Sequence, residues 1–361
     1  MKTIAIVDPA SYALTYDYQY IKTLAKKYKI DFYCSSTKFN HEYINKISNL
    51  ENVCLLEYNI SNGNKIIGLK NLFIMYVKIL SSYKKYSSIN FQWSIFPLIE
   101  IPFFCIIKNK LLFTFHNSVP HKTEKKTVWF NKIISRISKK NIFVSTYTKN
   151  IFEKNYGFYN NKNHILNHGV MPLTDSTSQF ENKPIEPFMP QSVTLVFWGN
   201  IKEYKGVDML LSLAPSLHLN NIKLNVYGKY DDDLIYIHNK LNELNHSSVN
   251  DYLPLDYIER ILIDKDTLMV LPYKRGSQSG VMFNCLALGT PFISSNVGES
   301  AKFLADNDLT EMVFVYGDNE SLLKSVNFFI ANKTVVIEKF DKLKRRYSWE
   351  YDDSIIEEIF E

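Results

Sequence analysis

The chain opens on a short β-branched and apolar run, 3–7, closed by Asp8-Pro9. A run with no polar alternation has no side to give to water, so it predicts a strand covered on both faces, as in a parallel sheet. Runs of the same kind recur at 30–34, 53–58, 88–93, 111–115, 141–145 and 164–167. Between them the apolar spacing becomes helical, at 18–28, 70–82, 129–137 and 148–156. The segment 70–82 is apolar on most faces, whereas 129–137 is amphipathic and basic. Strands alternating with helices predict a parallel sheet built from right-handed crossovers.

The alternation stops at 172–190, where Pro172, Pro184, Pro187 and Pro190 are separated by Thr, Ser and Asn without apolar period. Such a stretch reads as a linker. Strand runs then resume at 193–198, 223–227, 267–271 and 291–294, and helical ones at 207–214, 232–244, 281–288 and 348–360. The predicted division is a first domain 1–175, a linker 176–190, a second domain 191–345 and a terminal helix, 346–361, packing back toward the first domain. Ligands of open α/β sheets bind beyond the carboxyl ends of the strands. Two such sheets are expected to face each other across a cleft.

A length of 361 residues suits two domains that each bury a core. With 46% hydrophobic and 22% charged residues, the chain is globular rather than disordered. The charge is unevenly spread: residues 1–180 hold 24 Lys and Arg against 10 Asp and Glu, and residues 181–361 hold 18 against 27. A basic first half suggests an anionic partner, whether membrane lipid, phosphorylated acceptor or nucleic acid. No nucleic-acid module signature appears, so nucleic acid is set aside. Two segments join basic and aromatic residues, 70–86 and 122–140. A helix in the second either lies on an anionic bilayer or packs on its own sheet, and both give the same amphipathic pattern.

Four cysteines, Cys34, Cys54, Cys105 and Cys285, form no C-x-x-C pair, so neither a zinc site nor a redox motif is indicated. They are expected to be small core residues in a reducing cytoplasm. The first apolar run is too short for a signal peptide. No run reaches the roughly 18 residues of a membrane span, and the nearest, 96–107, is interrupted by Glu100. The expected location is cytoplasmic, peripheral at the inner face of the cytoplasmic membrane.

Two loops carry candidate chemistry. The first, Gly199-Asn200-Ile201-Lys202-Glu203-Tyr204-Lys205-Gly206, joins a predicted strand to a predicted helix. Glycine at the strand end admits close backbone approach, the helix start offers free N–H groups, and a lysine adds a point charge suited to a diphosphate. The second is Pro272-Tyr273-Lys274-Arg275-Gly276-Ser277-Gln278-Ser279-Gly280, running into another predicted helix. It is an anion cradle by the same physics, although Ser277 and Ser279 also suit simple helix capping.

Carboxylates and histidines at strand ends add candidates for proton transfer. His116 follows the fifth strand, and a histidine there either hydrogen-bonds a ligand or shuttles a proton, or is a satisfied structural residue. Asp8 ends the first strand and is expected to point at the cleft. Where a base is needed, Asp8, Glu124 or His116 is the candidate; Glu299, beyond Val297-Gly298, is a further carboxylate near the second loop's end of the sheet.

The order Gly199…Lys205-Gly206, Val226-Tyr227-Gly228, Leu271-Pro272-Tyr273…Ser277-Gln278-Ser279-Gly280…Gly289-Thr290-Pro291 resembles the donor domain of GT-B glycosyltransferases, specifically glycosyltransferase family 4 and its relatives. The first half resembles the same group at 90–93 (Asn90-Phe91-Gln92-Trp93), at 113–121 and at Asn167-His168-Gly169. The resemblance implies an α/β GT-B fold, two Rossmann-like domains, and transfer of a hexose from a nucleotide-diphosphate sugar. It implies donor binding by Gly199, Asn200, Lys205, Arg275, Ser277, Gln278, Ser279, Gly280 and Asn284, with Lys205 on the diphosphate. On the acceptor side stand Trp93, Asn117, His121 and His168. No metal or other cofactor is expected. The implied acceptor is a lipid-linked or free oligosaccharide of a bacterial surface polysaccharide, capsule or O-antigen.

Two departures stand out. The family's arginine is replaced by Asn200, and its two glutamates, eight positions apart, fall at Gly276 and Asn284. The rival reading is therefore an inactive GT-B partner that binds and stabilises another transferase.

Overall fold

The computed structural model describes residues 1–37, 40–61, 64–117, 125–158, 160–173, 193–219, 222–276 and 279–361, without the side chains of 125–127 and 218–219. It divides into two compact units, Met1–His168 with Trp349–Glu361, and Gly169–Ser348.

The first unit runs β1 (Thr3–Asp8), α1 (Leu14–Leu24), β2 (Lys29–Cys34), α2 (His41–Ser48), β3 (Val53–Glu57), α3 (Lys65–Ser81), β4 (Ser88–Phe91), α4 (Pro97–Ile107), β5 (Leu111–Phe115), α5 (Lys125–Ile137), β6 (Lys140–Phe143), α6 (Thr146–Tyr156) and β7 (Asn163–Ile165). The seven strands form one sheet in the order β3-β2-β1-β4-β5-β6-β7, and its pairings are parallel. The order reverses between β1 and β4, which makes their carboxyl ends the switch point where such sheets bind ligands.

The chain's many phenylalanines fill this unit. Phe91, Phe104, Phe113, Phe115, Phe143 and Phe152 are buried together, and Phe115 stacks on Phe143 at 5.2 Å between ring centroids. Glu100, which interrupts the apolar run 96–107, turns back on the start of its own helix. Its carboxylate accepts the Ile95 and Phe96 backbone N–H groups and the hydroxyls of Ser94 and Tyr76. These bonds satisfy orphan donors at the start of α4 and tie it to α3. Burial raises the Glu100 pKa, while the Ser94 and Tyr76 bonds pull it down.

The second unit runs β8 (Thr194–Trp198), α7 (Val207–Leu219), β9 (Lys223–Tyr227), α8 (Ile235–Glu243), β10 (Ser247–Val249), α9 (Leu255–Leu262), β11 (Thr267–Leu271), α10 (Gly280–Leu288), β12 (Phe292–Ser295), α11 (Gly298–Asp306), β13 (Val313–Phe314), α12 (Asn319–Ala331) and α13 (Lys333–Arg346). Its six strands lie in the order β10-β9-β8-β11-β12-β13, also parallel, with the reversal between β8 and β11. The last helix, α14 (Asp353–Phe360), belongs to the first unit. It buries Ile356, Ile359 and Phe360, sets Phe360 5.8 Å from the Tyr28 ring, and pairs Glu357 with Lys27 at 2.8 Å.

Three details differ from the sequence reading. The division falls at 168/169 and 348/349, because Val170 already bonds the Tyr347 carbonyl at 2.8 Å and Met171 the Phe283 carbonyl at 3.1 Å. Cys54 and Cys105 are exposed rather than core thiols, Cys54 on the edge strand β3 and Cys105 on the outer side of α4. Helices α2, α4, α9, α11, α12 and α13 and the short strands β10 and β13 add to the elements read from periodicity. The expected linker, 176–190, lies outside the described residues. No helix among them is long and apolar enough to cross a membrane.

Candidate active site

In the second unit the two loops singled out by sequence are stitched into one structure. Gly199 and Gly228 end β8 and β9 with φ of 135° and 145°, and a Cβ on Gly228 would sit 1.9 Å from the Gly199 carbonyl oxygen. The first loop then turns through Gly206 at φ 69°, where a Cβ would meet the Pro272 carbonyl oxygen at 1.8 Å. Glycine is required here for conformation and for space at once. The backbone closes the contact: Lys274 N–H donates to the Tyr204 carbonyl at 2.9 Å.

This contact sets the lysine. The Lys205 ammonium donates to the Tyr273 hydroxyl at 3.0 Å and lies 4.1 Å from the centre of that ring. The Tyr273 hydroxyl meets Ser279 Oγ at 2.9 Å, and Ser295 Oγ holds the Tyr273 carbonyl at 2.7 Å. Ser279 occupies the N-cap position of α10, but its side chain makes no cap bond; its hydroxyl is turned to Tyr273. A lysine, a phenol and a serine thus run in line to the start of a buried helix, whose dipole favours an anion.

Two other cations of these loops are paired with carboxylates. Lys274 pairs with Asp208 at 3.0 Å, and Arg275, its side chain 66% exposed, stands 4.0 Å from Glu203. Asn200 is exposed, Gly280 starts α10, and the Asn284 amide donates to the Met171 carbonyl at 2.8 Å. Glu299 is buried in the first turn of α11. Ser277 and Gln278 lie outside the described residues, as do His121 and Glu124 of the first unit.

In the first unit His116, Trp93 and His168 come together around Tyr16. The His116 ring stacks on Trp93 at 4.5 Å and takes the Tyr16 ring edge-on at 4.8 Å; His168 lies 4.9 Å from Tyr16, and Trp349 5.2 Å from it. A chain of hydrogen bonds fixes His116. The Gln92 amide donates to Asn90 Oδ1 at 2.7 Å, as does the Tyr20 hydroxyl at 2.8 Å, and Asn90 donates to Thr114. That leaves Gln92 Oε1, an acceptor, 3.0 Å from His116 Nε2. His116 therefore carries its proton on Nε2 and keeps Nδ1 as an acceptor. Burial, with a smaller contribution from His168, drops its pKa to about 3, so the ring is neutral at ordinary pH. Asn117 follows directly on the chain.

Asp8, expected to point at the cleft, has no exposure to solvent. It is wholly buried, and its Oδ1 accepts the backbone N–H groups of Ala10 at 3.2 Å and Ser11 at 2.8 Å. Its other neighbour is Asp17 of α1, also wholly buried. Two carboxyls out of water cannot both ionise: burial and the Asp8 charge push Asp17 far above the usual carboxylate range. Asp17 holds a proton against Asp8, and Asp8 is spent on a turn rather than free as a base.

Sequence reasoning missed a cavity of about 880 Å³ in this unit. Ser11, Ser36, Thr37 and Ser61 supply hydroxyls to its wall, with Lys65 at one side and Leu69 and Phe96 at another. Its polar residues directly follow β1, β2 and β3, the positions where open sheets bind ligands, and that rule alone points to them.

Residues 178–348 match the family model described as Glycosyl transferases group 1. That match covers most of the second unit, and the two parallel sheets have the GT-B fold. Among solved structures the chain is similar to a glycosyltransferase from Rickettsia africae (14% identity, TM-score 0.70, 96% of this chain and 94% of that one). It is similar also to Anabaena HepE in complex with UDP and glucose (11%, 0.69, 99% and 98%). A third is the lipopolysaccharide outer core galactosyltransferase WaaB (12%, 0.62, 99% and 97%). No curated protein matches the chain in sequence.

Proposed function

We propose that the chain transfers a hexose from a nucleotide-diphosphate sugar, held by the second unit, to a lipid-linked oligosaccharide during assembly of a surface polysaccharide. The observation that carries the donor half is the line Lys205–Tyr273–Ser279 at the start of α10. A diphosphate there meets a cation, two hydroxyls and a helix N-terminus. The bond from the sugar C1 to the phosphate oxygen breaks with its electron pair on that oxygen, and Lys205 neutralises the growing charge. The acceptor hydroxyl bonds to C1, and its proton passes to the departing phosphate oxygen. His116, neutral with Nδ1 open, serves as a hydrogen-bond acceptor that orients a sugar hydroxyl, and positioning does most of the work. No metal has a part in this reading.

UDP in the complex of the Anabaena protein supports a uridine nucleotide, and the lipopolysaccharide role of WaaB supports a surface glycan. The hydroxyl-lined cavity beyond β1–β3 suits the sugar part of the acceptor. The reaction is placed at the inner face of the cytoplasmic membrane. Calorimetry with UDP and GDP tests the donor half. One nucleotide is expected to bind, and Lys205→Ala to weaken it at least about tenfold, the worth of one charge-assisted contact. Binding of neither nucleotide sinks the donor reading and favours an inactive partner protein.

A further inference from the structure

Among the described residues, ten of the 21 exposed large hydrophobic side chains fall between Ile66 and Ile106. On α3 they include Ile66, Leu69, Phe73 and Val77, a stripe down the outer face of the helix; on α4 they include Leu98, Ile99 and Ile106. The two helices present one surface, because Ile99 shares a groove of about 440 Å³ with Ile66, Leu69 and Phe73. A patch of this kind marks an interaction site.

The charges around the patch say what covers it. Lys65, Lys70, Lys78, Lys84 and Lys108 are exposed along the same two helices and their ends. The acid of this region, Glu100, is buried under α3 and α4. A second copy of the chain would bring lysine rim against lysine rim. An anionic bilayer supplies apolar tails to the stripe and phosphates to the lysines. The patch also adjoins the hydroxyl-lined cavity, since Leu69 lines both. An amphiphile with its sugar in that cavity would have its lipid directed along the apolar face.

We infer that the α3–α4 face docks on an anionic phospholipid surface, with α3 lying in the headgroup layer. The inference rests on the membrane-face reading above for the nature of the partner, but not on the donor site. It also decides between the two basic segments: α5 turns Phe130 and Ile134 into the core, so its amphipathic pattern belongs to its own sheet.

The test is co-sedimentation of the full chain with phosphatidylcholine vesicles, with and without phosphatidylglycerol. UDP calorimetry and melting curves on the same variants separate a failure of the fold or donor site from a failure of docking. Wild type is expected to sediment with the anionic vesicles and to be released by salt. Ile66→Ser with Phe73→Ser, and separately Lys70→Glu with Lys78→Glu, are expected to weaken binding at least about tenfold, with folding intact. Trp129→Ser on α5 is expected to leave it unchanged. The inference is overturned if wild type stays in solution with anionic vesicles. It is equally overturned if the α3 variants sediment as wild type does, or if the face proves to hold two copies together, as an α3-dependent dimer in sedimentation velocity.

Discussion

A carboxyl group without water keeps its proton, and Asp17 shows what that does to stability. Its folded pKa is raised by burial and by Asp8, while in the unfolded chain it returns to about 3.9. Above that value the unfolded chain has released a proton that the folded chain retains, so stability falls as pH rises toward the folded pKa. The slope is up to about 1.4 kcal/mol per pH unit. Asp17→Asn has no proton to lose. Its melting temperature, measured against wild type, is expected to improve between about pH 5 and about pH 8; a constant difference across that range would refute the buried pair. The sequence marks Asp8 because it ends a strand. It does not mark Asp17, which meets Asp8 only once α1 has packed over the sheet. His116 is legible for the same reason as Asp8, yet its tautomer depends on Gln92 and Asn90 of β4 and its following loop. That is a neighbouring strand, and no local spacing reports it.

At the scale of elements, periodicity locates a strand or helix but not the face it shows. The clean amphipathic pattern of α5 spends its apolar side on the core, while α3, apolar on most sides, leaves a stripe exposed. The cause is arithmetic of surface: one face of α3 covers the sheet with Leu72, Met75 and Ile79, while Ile66, Phe73 and Val77 on the other stay exposed. The two loops of the second unit read as separate cradles, but Gly206 locks them together. Gly206→Ala would place a methyl against the Pro272 carbonyl and strain a left-handed backbone, at a cost of about 1–3 kcal/mol. The expected outcome is a lower melting temperature together with weaker nucleotide binding than Lys274→Ala shows. Unchanged calorimetric affinity would mean that the latch does not position Lys205.

Across the whole molecule, the chain returns to its first unit after completing its second. Trp349, Ile356, Ile359 and Phe360 are buried there, each worth about 1.5–3 kcal/mol when removed from water. Together that rivals the roughly 5–15 kcal/mol margin of an ordinary domain. A chain ending at Ser348 is therefore expected to lose protection from hydrogen exchange in β1, β2 and α1 while the second unit stays protected; equal protection of both would contradict the assignment of the tail.

Most strands of both sheets, their parallel pairing and the two candidate loops were determined by the sequence alone, because buried strands need unbroken apolar runs and tight turns need glycine at fixed places. The return of the tail, the proton shared by Asp8 and Asp17, the joining of two loops through Gly206 and the exposed face of α3 were decided by tertiary structure. Each depends on which surfaces meet, and residues far apart in the chain settle that only by packing.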